Sequence, residues 1–172
     1  YYICIARNMG LRSIAIEPIP INQKILKQNI KENNWHQNVI LHPIACGNSD
    51  GNITIYGEGT SASIIPGWAG NPSRLKHVVQ MKKLDNLLSN EKVTSKSVIL
   101  IDVEGFELDV LHGAQNILGS KDKPIIMLES GLTDHRSEGG LNLKFLQIFK
   151  FIIKIGYRVF SVEDINFEIT QE

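Results

Sequence analysis

Disulfides, membrane spans and an excess of one charge are all missing from this chain, and each absence removes a class of function. Two cysteines, Cys4 and Cys46, cannot build a disulfide framework, and no CxxC pair or Cys/His cluster marks a zinc site. A reducing compartment is the expectation, with the cytoplasm as the default, since no basic and apolar leader opens the sequence. No stretch reaches the roughly 18 apolar residues of a membrane span. The longest candidate, residues 145–155 (FLQIFKFIIKI), is interrupted by Gln147, Lys150 and Lys154 at helical spacing and reads as a packed helix. Lys plus Arg number 18 and Asp plus Glu 18, so no net field favours nucleic acid or an anionic membrane as partner. Repeats and low-complexity tracts are absent too. What remains is an ordinary globular composition in 172 residues, enough for a single domain with a real core. The chain opens on Tyr1, in mid-element, and the expectation is a domain shortened at its N-terminus.

The most informative stretch is residues 97–114, SVILIDVEGFELDVLHGA. Residues 98–101 are wholly apolar, the mark of a strand buried on both faces of a parallel sheet. The run stops at Asp102, passes through Val103, Glu104 and Gly105, and becomes a helical pattern with Phe106, Val110, Leu111, Ala114 and Leu118 on one stripe. A buried strand that ends in acids and turns through glycine into a helix is where α/β proteins place ligands.

Around it the chain alternates. Residues 1–8 read as the end of a helix stopped at Gly10, and 13–16 as a buried strand ending in Glu17. Pro18 and Pro20 lead into a helix with Ile21, Ile25, Leu26 and Ile30 as its stripe. Residues 39–41 form a strand ending in His42. Asn48-Ser49-Asp50-Gly51 is turn chemistry; residues 53–56 and 77–82 read as strands that pair back, separated by a Gly/Ser/Pro-rich loop, 57–72. A short helix over 85–88, a strand over 124–128 ending in Glu129, a polar loop over 130–140, a helix over 141–155 capped by Gly156, and an antiparallel pair over 157–162 and 166–170 complete the chain. Alternating strands and helices predict an open, mostly parallel sheet with helices on both faces. Its strand ends Glu17, His42, Asp102 and Glu129 then share one edge. Strands do end in polar residues simply to reach water, but four together favour a ligand site. Glu17 suits a ribose, since a carboxylate can accept from two hydroxyls at once. That signal usually follows a Gly-rich turn after the preceding strand, and no such turn is in this chain.

The segments IAIEPIPINQKILKQNIKENN, PIACGNSDGNITIY, GTSAS and LDNLL, and above all LIDVEGFELDVLHGA followed by IMLE, resemble FkbM-type methyltransferases. The resemblance covers residues 1–129, with Gly156-Tyr157 also in place. It implies the Rossmann-like class I methyltransferase fold, a three-layer α/β sandwich whose mostly parallel sheet ends in an antiparallel pair. The first, glycine-turn strand of that fold is not in the sequence. It also implies O-methylation, from S-adenosylmethionine, of a hydroxyl on a sugar or small natural-product-like acceptor. Carried over by position, Glu17 would bind the ribose, Pro18 and Ile19 flank the adenine, Ile44 and Ala45 line its pocket, and Asp102 and Glu104 face the methyl donor and acceptor. No acid stands where many class I enzymes meet the adenine amino group; Asn48 and Asp50 are possible substitutes.

Methyl transfer to a hydroxyl needs alignment and a base. Asp102 is the first choice, Glu104 the second and His135 a distant third. No metal is required, because two acids without further spaced partners make a poor ligand set. Glu107 and Asp109 are expected to complement the dipole of their helix, His112 to lie on the surface, Trp35 to cap a helix end, and Cys46 to fill space. Trp68 is balanced between structure and stacking on a substrate, in a loop placed to act as a lid. Two rivals stand beside the enzyme reading: an NAD-dependent Rossmann-type oxidoreductase, in which Glu17 would also bind ribose, and a non-catalytic, degenerate methyltransferase-like domain. Acceptor identity and oligomeric state are not legible.

Overall fold

Four short apolar runs become four parallel strands, paired two by two. A computed structural model describes residues 1–133 and 140–170. After helix α1 (Tyr2–Asn8), strand β1 (Ser13–Ile16) pairs in parallel with β2 (Val39–His42) across helix α2 (Pro20–Glu32). A second sheet holds β3 (Ala45–Cys46), β4 (Gly51–Tyr56) and β5 (Lys76–Lys82), with β5 between the other two, parallel to β3 and antiparallel to β4. Helix α3 (Leu84–Leu87) leads to β6 (Val98–Ile101), which pairs in parallel with β7 (Ile125–Leu128) across α4 (Glu107–His112) and α5 (Gln115–Leu118). Helix α6 (Phe145–Lys154) precedes the antiparallel pair β8 (Val159–Phe160) and β9 (Glu168–Ile169). Among the described residues no strand joins β1 to β6. None of the described helices is long and apolar enough to cross a membrane.

The predicted stripe on the helix after Asp102 is the centre of the core. Leu111, Ala114 and Leu118 are fully buried, and they pack with Ile101, Leu108, Val110, Ile148 and Ile152. A smaller cluster, Ile19, Ala45, Ile55, Met81 and Phe106, ties the three-stranded sheet to the start of α2 and α4.

Four expectations change. The β6–β7 pair is buried on one face only: Ile99, Ile101, Ile126 and Leu128 face the helices, while Val98 and Ile125 on the other face are 59% and 58% exposed. An all-apolar strand reads the same whether one or both faces are covered. On α2, only Ile30 of the stripe is buried, and Ile21 and Ile25 are exposed. The single helix over 106–118 is two. Gly113 crosses the chain so closely that a Cβ there would sit 2.0 Å from the Gly47 carbonyl oxygen. Its own carbonyl accepts from Asp85 N, and the Asp85 carboxylate caps α5 by accepting from Asn116 N and Ile117 N. Finally, α6 starts later than residue 141, because Leu141 bridges Thr133 and the Asn142 side chain accepts from Lys144 N just ahead of the helix.

Candidate active site

The register of the two parallel pairs decides which polar strand ends meet. Ile16 stands opposite His42, so Glu17 leaves β1 beside the end of β2, its N–H donating to His42 O. Ile101 stands opposite Leu128, so Asp102 and Glu129 leave neighbouring strands side by side. Both have exposed surface. Burial at the sheet edge raises the Asp102 carboxyl above its ordinary range, and the like charge of Glu129 raises it further. Among the described residues nothing donates a hydrogen bond to the Asp102 carboxylate.

The two residues after Val103 turn sharply. Glu104 has φ +51° and Gly105 φ +92°, so the chain bends through the left-handed region before α4 starts. At Gly105 only glycine fits, since a Cβ would stand 2.9–3.0 Å from the Trp68 ring and Ile65 Cδ1. The turn is held from the 57–72 loop: Ser63 Oγ donates to Glu104 O at 2.6 Å, and Trp68 Nε1 donates to Glu104 Oε2 at 2.6 Å. Glu107, 5% exposed, reaches back to accept from Gly105 N at 2.8 Å. Burial pushes its carboxyl up; that bond opposes the shift, and Glu104 and Asp102 reinforce it.

Two clefts meet at Asp102 and Glu129. One, of about 200 Å³, runs along the bare sheet face between Tyr2, Leu100, Met127 and Val162. The other, of about 130 Å³, is walled by Trp68, Glu104, Ser130 and Asn142. In the second, Ser130 Oγ is buried without a hydrogen-bond partner among the described residues. Glu17 stands apart from both. Its carboxyl is raised by burial, while bonds from Ile19 N (2.8 Å) and the Asn22 amide oppose the shift.

The remaining sequence candidates separate. Ile19, Ile44 and Ala45 are core residues, at 2%, 7% and 7% exposure. Asn48 donates to Asp109 Oδ1, and Asp50 accepts from Lys83 N and Asn86 Nδ2 to cap α3, so both possible adenine partners are committed to structural bonds. Asp109 does more than complement a dipole: it also accepts from Lys144 Nζ at 2.7 Å. Trp68, at 3% exposure, is packed into the protein and shows only an edge to the second cleft, whose wall it helps to form. Burial raises the Cys46 thiol to about 12, which leaves it inert. His112 is exposed. His135 lies outside the described residues. Among those described, no group of three or more His, Cys, Asp or Glu could hold a metal ion. The residues that sequence reasoning missed are Ser63 and Trp68 as partners of Glu104, 41 and 36 positions away.

The family described as the methyltransferase FkbM domain matches residues 2–159. The chain belongs to the FkbM methyltransferase family. A solved structure of methyltransferase FkbM from Methylobacillus flagellatus KT superposes on it with a TM-score of 0.57 at 19% identity, over 89% of this chain and 34% of that one. At that identity the likeness concerns the fold, which is Rossmann-like with a mostly parallel arrangement. The chain thus spans about a third of the length of that FkbM structure. A search of curated proteins finds no match. The FkbM domain match takes in both acid-bearing strand pairs and the loop that clasps Glu104.

Proposed function

We propose that this FkbM domain transfers a methyl group from S-adenosylmethionine to a hydroxyl of a sugar or small natural-product-like acceptor. The observation that carries the reading is Asp102: a carboxylate raised above its ordinary range, free of protein donors among the described residues, where two clefts meet. Such a carboxylate is a better proton acceptor than an ordinary one.

The residues present fit the donor. The Glu17 carboxylate has one oxygen on Ile19 N and retains lone pairs for ribose hydroxyls. Pro18 and Ile19 would flank the adenine, and Ile44 and Ala45, being core residues, would supply the firm wall of its pocket. When bound, S-adenosylmethionine supplies an electrophilic methyl on a sulfonium, whose S–C bond breaks as the acceptor O–C bond forms. Asp102 takes the acceptor hydroxyl proton. Glu104, held by Trp68, orients that hydroxyl and is the second candidate base. Ser130 Oγ, in the same cleft and without a partner among the described residues, offers a further hydrogen bond to a polyhydroxylated acceptor. Equal numbers of acidic and basic residues favour a small molecule or glycan over nucleic acid or membrane.

Calorimetric titration with S-adenosylmethionine and, separately, NAD tests the donor. Methyl transfer from labelled donor to a panel of hydroxylated acceptors tests the reaction. Binding of the sulfonium donor and labelling of an acceptor are expected. Binding of NAD alone, or of neither, would replace this reading with an oxidoreductase or a non-catalytic domain.

A further inference from the structure

Residues 59–68 reach two of the three carboxylates to which the proposed chemistry gives a role, Glu104 directly and Glu17 by way of Asn22. At one end Asn22 Nδ2 donates to Gly59 O at 3.0 Å, and the same amide bonds the Glu17 carboxylate. At the other end Ser63 and Trp68 grip Glu104 by its carbonyl and by Oε2. The span between is internally braced. Ser63 and Tyr56 exchange backbone bonds of 2.7 and 3.0 Å, and Asn71 Nδ2 donates to Ser61 O at 2.7 Å. Asn71 in turn packs against Gly57, where a Cβ would stand 2.4 Å from Asn71 Cγ. These contacts describe a brace, not the lid that its composition implies.

Ser63 and Trp68 are 2% and 3% exposed, so both are committed chiefly to packing, with Trp68 also forming part of the wall of the second cleft. Their polar atoms converge on Glu104, a non-glycine residue in the left-handed region, which persists only where its surroundings over-determine it. An indole N–H on a carboxylate is a charge-assisted bond, and it occupies one oxygen while leaving the other for a ligand. We propose that residues 59–68 form a strut that sets the spacing between Glu17 and Glu104, with Ser63 and Trp68 as positioning residues. The inference rests on the reading of those two acids as the donor-side and acceptor-side groups of the site. Misplacing a reacting group by about 1 Å costs on the order of 100-fold in rate, so such a strut carries catalytic weight through the acids it positions.

The test uses Trp68→Phe and Ser63→Ala, each with two readouts. The first is kinetic: Trp68→Phe is expected to lower kcat by about tenfold or more while the KM for S-adenosylmethionine changes by less than about twofold, and Ser63→Ala to act in the same direction but less. The second needs no turnover. In a Trp35→Phe background Trp68 is the only indole, and Glu104→Gln is expected to shift its emission. Unchanged kcat in a folded Trp68→Phe protein, or Trp68 emission indifferent to Glu104→Gln, overturns the strut. If Trp68→Phe does not fold, the Ser63→Ala kinetics and the emission measurement decide by the same criteria. Failure to bind S-adenosylmethionine would refute the proposed function instead, and the emission experiment would still answer for the strut.

Discussion

The β1–β2 and β6–β7 pairs are the same device used twice, and they treat their acids in opposite ways. Each is two parallel four-residue strands whose register brings polar ends together. At the end of β1 the Glu17 carboxylate is tied to its own chain through Ile19 N and to Asn22. At the end of β6 the Asp102 carboxylate has no protein donor among the described residues and a like charge beside it. An acid that must hold a ligand gains from being fixed; an acid that must take a proton gains from being left hungry for one. The packing differs in the same sense. The β6–β7 pair rests on the main core through α4, α5 and α6, whereas α2 buries only Ile30. The rigid foundation lies under the acid proposed to do chemistry.

The sharpest way to break the comparison is Asp102→Asn. It is expected to lower kcat by roughly 100- to 10,000-fold with the dissociation constant for S-adenosylmethionine nearly unchanged, as read by methyl-transfer kinetics and calorimetry. Equal loss of rate and of donor binding would show that the two acids do not divide the work.

Next in size is the foundation itself. Leu111→Ala, at a fully buried position, is expected to cost about 2–5 kcal/mol in denaturant unfolding. Val98→Ala, on the bare face of the same sheet, is expected to cost less than about 1 kcal/mol. Similar losses at both positions would mean that the bare face is covered in solution.

Smaller again is Glu17→Gln, expected to weaken S-adenosylmethionine by about 10- to 100-fold through loss of charged hydrogen bonds, with kcat at saturating donor little changed. The same substitution has a stability signature. Because the folded-state carboxyl is raised, the unfolded chain gives up its proton first as pH climbs from the ordinary carboxylate value. The native protein therefore loses stability across that window, and the loss is complete above the folded value. Glu17→Gln has no such titration, so its melting temperature relative to the wild type is expected to rise with pH across the window. A constant difference would mean that Glu17 is not raised by burial.

Local chemistry explains what was legible in the sequence. The apolar runs of β1, β2, β6 and β7, the alternation that pairs β4 with β5, and the stripe through Leu111 and Leu118 all follow from neighbours a few positions apart. So does the placement of Asp102 beside Glu129, once parallel pairing is assumed. Contacts made by distant parts of the chain were not legible. The break after His112 depends on Gly47, and the bare face of β6–β7 depends on what does or does not pack there. Asn48 and Asp50 look like free polar groups in a turn until Asp109 and Lys83 claim them. Trp68 in a Gly-rich loop looks available for stacking until its ring is found pressed against Gly105.

The crossing of Gly113 over Gly47 sets a limit on how this domain can change. A side chain at Gly113 would meet the Gly47 backbone and push the three-stranded sheet away from the helix that follows the acids, whereas one at Gly47 would meet the side chains of Met81 and Phe106. Gly113 is therefore closed to any larger residue as long as Gly47 keeps its place. New acceptor preferences, whether found by selection or by a designer's library, must come from residues that leave that crossing untouched.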